Sequence, residues 1–186
     1  MTIKHLTMDE LAAGLDHVRQ SPQDGGTLEM IVRRPFTDER ELLHEGELDT
    51  AVGLIGDNWQ ARGSRSMPDG SANPDAQLTL MNSRAADLVS QSRDRWPLAG
   101  DQLYVDFDLS EANIPPGTRL EIGEAVVEVT ALPHTGCQKF VARFGQDAMK
   151  FVNTGEGKQL HLRGINTKVV QPGTIRIGDT ITKITT

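Results

Sequence analysis

The sequence predicts a mainly β domain, a closed or partly closed barrel carrying a few short helices. Beyond Leu103 the apolar residues come in short alternating runs broken by Gly, Pro and Asp, as strands and tight turns require. The segment Pro116 to Thr130 (PGTRLEIGEAVVEVT) is echoed by Pro172 to Thr185 (PGTIRIGDTITKIT), each reading as turn, strand, Gly plus acid, and strand. With a one-residue gap, Leu120 and Ile122 match Ile175 and Ile177, while Val126 and Val129 match Ile181 and Ile184. Gly123-Glu124 and Gly178-Asp179 are then hairpin turns, and two equivalent hairpins suggest a sheet that closes to remove its edges. A chain of 186 residues fits one domain and buries a sizeable core without cross-links.

The elements follow in order. Residues 1–26 are expected to form an N-terminal helical segment packing on the domain that spans 27–186. Thr7 and Glu10 have capping-box spacing, and Leu11, Leu15 and Val18 share one face of a helix over Thr7 to Gln20. Thr27 to Arg33 reads as a strand ended by Pro35, whereas Glu39 to Thr50 fits helix or strand equally. The glycines of Val52-Gly53-Leu54-Ile55-Gly56-Asp57 mark a tight turn, and Ala61 to Asp75 a surface loop. Gln77 to Met81 alternates as a strand, Ser83 caps a helix over Arg84 to Gln91, and Leu103 to Phe107 is a further strand. A second short helix is expected over Asp147 to Asn153, with Phe140, Phe144 and Phe151 on one apolar wall.

Composition narrows the function classes. A net charge of −7 argues against nonspecific binding to nucleic acid or anionic membrane. The first thirty residues hold no apolar run suited to a signal peptide or membrane span, and a lone cysteine forms no internal disulfide, so a cytoplasmic location is expected. The charge is uneven. Between Cys137 and Lys168 six cations (Lys139, Arg143, Lys150, Lys158, Arg163, Lys168) face two acids (Asp147, Glu156), a local +4 that suits a phosphorylated or other anionic ligand.

Cys137 is the candidate reactive group. Thr135 and Gln138 have capping-box spacing, which makes Thr135 the N-cap, places Cys137 in the first turn, and lets Gly145 end the helix. A helix N-terminus flanked by Lys139, Arg143 and His134 favours thiolate and attracts anions. The spacing of Cys137 with Phe140, Val141 and Phe144 equally fits one more apolar residue on a buried helix face.

Gly53-Leu54-Ile55-Gly56-Asp57, the unit Pro116 to Thr130 running into His134-Thr135-Gly136-Cys137, and Leu162-Arg163-Gly164-Ile165-Asn166 leading to the second Pro-Gly-Thr unit together resemble the MOSC family, named after the C-terminal domain of molybdenum-cofactor sulfurases. The likeness runs over about residues 27 to 183, in the manner of the small stand-alone bacterial members. It implies a MOSC-like β-barrel whose cysteine, here Cys137, either ligates molybdenum in a bound pterin cofactor or carries a persulfide sulfur. The molybdenum cofactor is therefore the expected cofactor, and pyridoxal phosphate is not expected on this chain. Members that hold the cofactor reduce N-hydroxylated compounds, so the implied partners are a cysteine desulfurase or a flavin-type electron donor. Carried over by position, Cys137, Arg163, Asn166 and Asp57 match the family motifs, and His134, Thr135, Lys139 and Arg143 join them as candidate cofactor contacts. The alternative is a small-ligand binding module with an inert buried cysteine.

Overall fold

Apolar residues on both faces of the same strands organise the chain. The structure is a computed structural model that describes residues 3–185. Its strands are β1 (Gly26–Arg33), β2 (Glu41–Leu43), β3 (Glu45–Asp49), β4 (Gly53–Leu54), β5 (Leu78–Asn82), β6 (Leu103–Asp106), β7 (Arg119–Ile122), β8 (Ala125–Val129), β9 (Ile165–Gln171), β10 (Gly173–Arg176) and β11 (Thr180–Ile184). The helices are α1 (Met8–Ala13), α2 (Leu15–Arg19), α3 (Trp59–Arg62), α4 (Ser83–Ser90), α5 (Gln138–Phe144), α6 (Gln146–Asn153) and α7 (Gly155–Gln159).

Seven strands close a barrel in the order β11-β7-β8-β9-β5-β6-β1, and the pairing of Gly26 with Ile181 joins β1 back to β11. Every neighbouring pair is antiparallel except β5 with β6. Strand β2 extends from β1, and β10-β3-β4 form a separate small sheet. Alternation splits the core in two. Leu28, Ile31, Leu80, Val105 and Leu120 fill the barrel, while Met30 and Val32 on β1, Met81 on β5 and Tyr104 on β6 point outward. Helices α1, α2, α4, α5 and α6 cover that outer face with Leu11, Leu15, Val18, Ala85, Phe140, Phe144 and Phe151. Each large side chain so buried contributes about 1.5–3 kcal/mol.

The capping box of Thr7 and Glu10 forms as expected, but Gly14 divides the N-terminal helix into α1 and α2. The ambiguous stretch after Glu39 becomes β2 and β3. Asn82, not Ser83, caps α4: its side chain accepts from the amides of Arg84 and Ala85, and a strand that ends on a strong N-cap residue starts the helix one position early. Helix α7, rich in glycine, is not visible in the sequence pattern.

The two Pro-Gly-Thr units are not equivalent. β7 and β8 form a hairpin about Gly123-Glu124, but β10 pairs with β3 while β11 pairs with β7 and β1. The small sheet offers β10 a partner of its own, so the second unit opens and its strands part. Ile175 and Ile181 are buried in the core, whereas Ile177 and Ile184 are 42% and 39% exposed. β8 alternates without interruption, so Ala125, Val127 and Val129 face the barrel and Val126 does not; the register shift opposite Val126 and Val127 places its extra residue, Val170, in β9.

Candidate functional site

At one end of the barrel the chain leaves β1 at Arg34, turns through Asp57 and Asn58 before α3, enters β6 past Asp101, and enters β9 past Arg163. Between these strand ends, the 132–137 segment and α5 lies a cleft of about 420 Å³, within the range of small-molecule sites. Arg34, Arg40, Arg62, Lys139, Arg143 and Arg163 line it together with His134, and Asp38 is the single acid among its lining residues.

Two buried carboxylates fix two of these arginines. Asp57 takes Arg34 in a fork, Nε to Oδ2 and Nη2 to Oδ1, both at 2.8 Å, and also accepts from the amides of Arg34 and Trp59. A tight turn whose Gly56 sits at φ 85° carries Asp57 to that position. Asp101 accepts from Arg163 Nη1 at 2.7 Å on one oxygen and faces His134 Nε2 at 2.8 Å on the other. Burial disfavours the charged Asp101, yet the opposing charge of Arg163 and the contacts with both partners outweigh it and hold the carboxyl well below the usual range. Since an ionised carboxylate only accepts, His134 Nε2 carries the proton. Burial, with Arg163 close by, lowers the His134 pKa, so the neutral ring keeps its lone pair on Nδ1. Gly164, at φ 109°, brings the backbone between Arg163 and β9 against the carbonyl of Leu80, where any Cβ would collide.

The remaining cations are less compensated. Lys139 and Arg143 share Asp38, at 2.7 and 3.2 Å. Arg40 reaches only the carbonyls of Pro97 and Glu39, and among the described residues neither Arg40 nor Arg62 has an ion pair. Partial burial lowers the pKa of both, assisted by Arg143 and Arg34 beside Arg40 and by Arg34 beside Arg62. Among the described residues two buried polar atoms of the cleft wall, Asn58 Oδ1 and Arg163 Nε, lack a hydrogen-bond partner. Clustered like charges and unmet polar atoms are costly; an anion seated here relieves the first, while Asn58 Oδ1 calls for a ligand that also carries a donor.

Cys137 lines this cleft and is exposed. It is the N-cap of α5, extended at φ −123° and ψ 178°, with no side-chain cap; its carbonyl accepts from the amides of Phe140 and Val141. This corrects the capping box expected from Thr135 and Gln138. The Gly136 amide reaches toward Asn153 on α6 at 3.4 Å, so the segment stays extended through Cys137 and the helix begins later than the spacing suggests. It also overturns the buried position inferred from helical periodicity: Phe140 and Phe144 are buried, and Cys137 lies beyond the start of their helix.

His134, Thr135, Lys139, Arg143, Arg163 and Asn166 lie on the same cleft as Cys137. Asn166 donates to the carbonyl of Leu132 at 3.0 Å and thereby anchors the segment leading to the thiol. Asp57 does not face the cleft; its side chain is fully buried behind Arg34. The basic island divides, for Lys168 pairs with Glu128, and neither Lys150 nor Lys158 lines this cleft. Arg34, Arg40, Arg62, Asn58 and Asp101 were not singled out in the sequence. Arg33-Arg34-Pro35 at the end of β1 was the one local signal, a pair of cations where a strand stops. No groups of three or more potential metal-binding His, Cys, Asp or Glu occur among the described residues, and no described helix is long and apolar enough to cross a membrane.

Residues 68–182 match the family model described as the MOSC domain. No curated protein matches the chain. Among solved structures, the chain is similar to the YuaD protein from Bacillus subtilis, with 15% identity, TM-score 0.59, and coverage of 85% of this chain and 94% of that one. YiiM from Escherichia coli has 18% identity and TM-score 0.55, with coverage of 86% and 70% respectively. YiiM from Geobacillus stearothermophilus has 14% identity and TM-score 0.54, covering 89% and 75%. At these identities the likeness speaks for the fold alone.

Proposed function

Because this chain belongs to the MOSC domain family, we propose that it binds the molybdenum cofactor in the cationic cleft, with Cys137 as the thiolate ligand. The observation that carries the reading is an exposed thiol opening onto a cleft whose Arg40 and Arg62 have no acidic partner among the described residues. The donor set fits the group. Thiolate suits the metal, the arginines suit a phosphate, and Asn58 Oδ1, without a partner among the described residues, offers an acceptor to a pterin edge. When bound, the cofactor supplies two-electron oxygen-atom chemistry.

The chain's own groups have distinct tasks. Arg40 and Arg62 hold the phosphate as charge-assisted donors, while Asp57 and Asp101 keep Arg34 and Arg163 from swinging onto it. Reduction of an N-hydroxylated compound consumes two protons with two electrons and releases water; the electrons come from a flavin-type donor. His134 can take up and hand on a proton at Nδ1, since Asp101 fixes the proton on Nε2.

A persulfide carrier needs an accessible thiol and no phosphate site. The two are separated by incubating cofactor-free protein with a cysteine desulfurase and cysteine, then measuring intact mass. The cofactor reading expects no stoichiometric gain of one sulfur. A full gain that Cys137→Ser abolishes, in a protein that also takes up no cofactor, establishes the carrier instead.

A further inference from the structure

A second cavity of about 360 Å³ lies on the other side of the 132–135 segment. It shares Leu132, Pro133, His134, Thr135, Arg163 and Asn166 with the cationic cleft, but its own walls differ in chemistry. Val129, Ala131, Val152 and Ile165 make them largely apolar. At the rim Lys158 and Glu111, both exposed, carry opposite charges that cancel. His161 lines it at φ 49°, an uncommon conformation for a bulky residue. Its Nδ1 lies 2.8 Å from the Leu109 carbonyl, which can only accept; the neutral ring therefore keeps a lone pair on Nε2, which has no partner among the described residues. Arg163 is 6% exposed, and its Nε is a buried donor without a partner. A largely apolar cavity lined by one residue with an unmet acceptor and one with an unmet donor matches a molecule bearing the complementary pair.

We infer that this second cavity is a binding site for an uncharged, mostly apolar small molecule carrying both a hydrogen-bond donor and an acceptor. A charged ligand would exchange water for walls whose rim charges, Lys158 and Glu111, offset each other and whose Arg163 is already paired with Asp101, at a desolvation cost. The site stands independently of the cofactor reading, because its walls are complete without the thiol. If that reading holds as well, a molecule seated here shares His134 and Arg163 with the cofactor.

The test uses benzamide, an apolar ring with an amide donor and acceptor, on cofactor-free full-length protein observed by NMR. The expected result is saturation transfer to benzamide and intermolecular NOEs from its ring protons to the methyl groups of Val129, Val152 and Ile165. Pyrophosphate, directed to the cationic cleft, should not displace it, and benzoate should bind at least about tenfold more weakly, one charged group being left unpaired. No saturation transfer, NOEs confined to other residues, benzoate binding as well as benzamide, or competitive displacement by pyrophosphate would each overturn the proposal. Since none of these readouts involves metal, pterin or Cys137, failure here leaves the cofactor reading intact, and the reverse also holds.

Discussion

Asp101 and Arg163, distant in sequence, meet at 2.7 Å with both side chains buried at the base of the cationic cleft. The pair ties the entry of β6 to the entry of β9, so the cleft wall and the barrel share one interaction. Asp101→Asn leaves the Arg163 charge uncompensated in that environment. A loss of about 3–5 kcal/mol is expected from breaking one side of a buried pair. Urea unfolding checks it through a lower midpoint at unchanged slope; a variant as stable as the parent would show that the ion pair is dispensable.

His134 gives a pH signature. Its folded pKa lies below the ordinary value near 6.5, so as pH falls through that value the unfolded chain takes up a proton that the folded chain refuses. Stability therefore drops on acidification below about pH 6.5, by up to about 1.4 kcal/mol per pH unit from this one group, until the folded pKa is reached. Asp101, held low, contributes stability that is full above its unfolded value near 4 and is lost at more acid pH still. The difference in stability between the parent and His134→Gln should change with pH between about 5 and 6.5; a constant difference would contradict the assignment.

The unpaired arginines separate binding from folding. Arg62→Ala removes a partly buried cation that neighbours Arg34 and has no ion pair among the described residues, so stability should hold or rise slightly. Affinity for pyrophosphate should fall about tenfold or more, the worth of one charge-assisted hydrogen bond. Calorimetric titration and thermal unfolding of the same sample read both quantities. Unchanged affinity would remove Arg62 from the anion site.

Cys137, exposed on the cleft, should react with iodoacetamide in the folded protein, and pyrophosphate should slow that reaction by occupying the adjoining space. A thiol that reacts only after denaturation, or a rate indifferent to pyrophosphate, would detach the cysteine from the anion site.

The barrel was legible because its strands carry period-two alternation and its turns carry glycine at positive φ, as at Gly123 and Gly178. The equivalence of the two Pro-Gly-Thr units was not, since partner choice is decided by β3, whose pairing with β10 no local pattern announces. The grouping of Cys137 with His134, Thr135, Lys139 and Arg143 was legible from chain proximity alone. Arg34 and its buried anchor Asp57 are 23 residues apart, and neither shows its partner in sequence. Arg40 and Arg62 sit in segments whose composition reads as surface, and only closure of the barrel turns them toward the thiol. Periodicity misplaced Cys137 because the helix begins one residue after it, so the pattern it shares with Phe140 and Phe144 has no structural meaning there.

The central claim is that Cys137 and the cationic cleft hold the molybdenum cofactor, and the most direct measurement is molybdenum and pterin content per chain. The full-length protein and its Cys137→Ser variant are purified in parallel from cells that make the cofactor, and metal is counted by mass spectrometry and pterin by fluorescence after oxidation. The account expects both near one per chain in the parent and both strongly reduced in the variant. A parent with neither, or a variant that retains both in full, would contradict it.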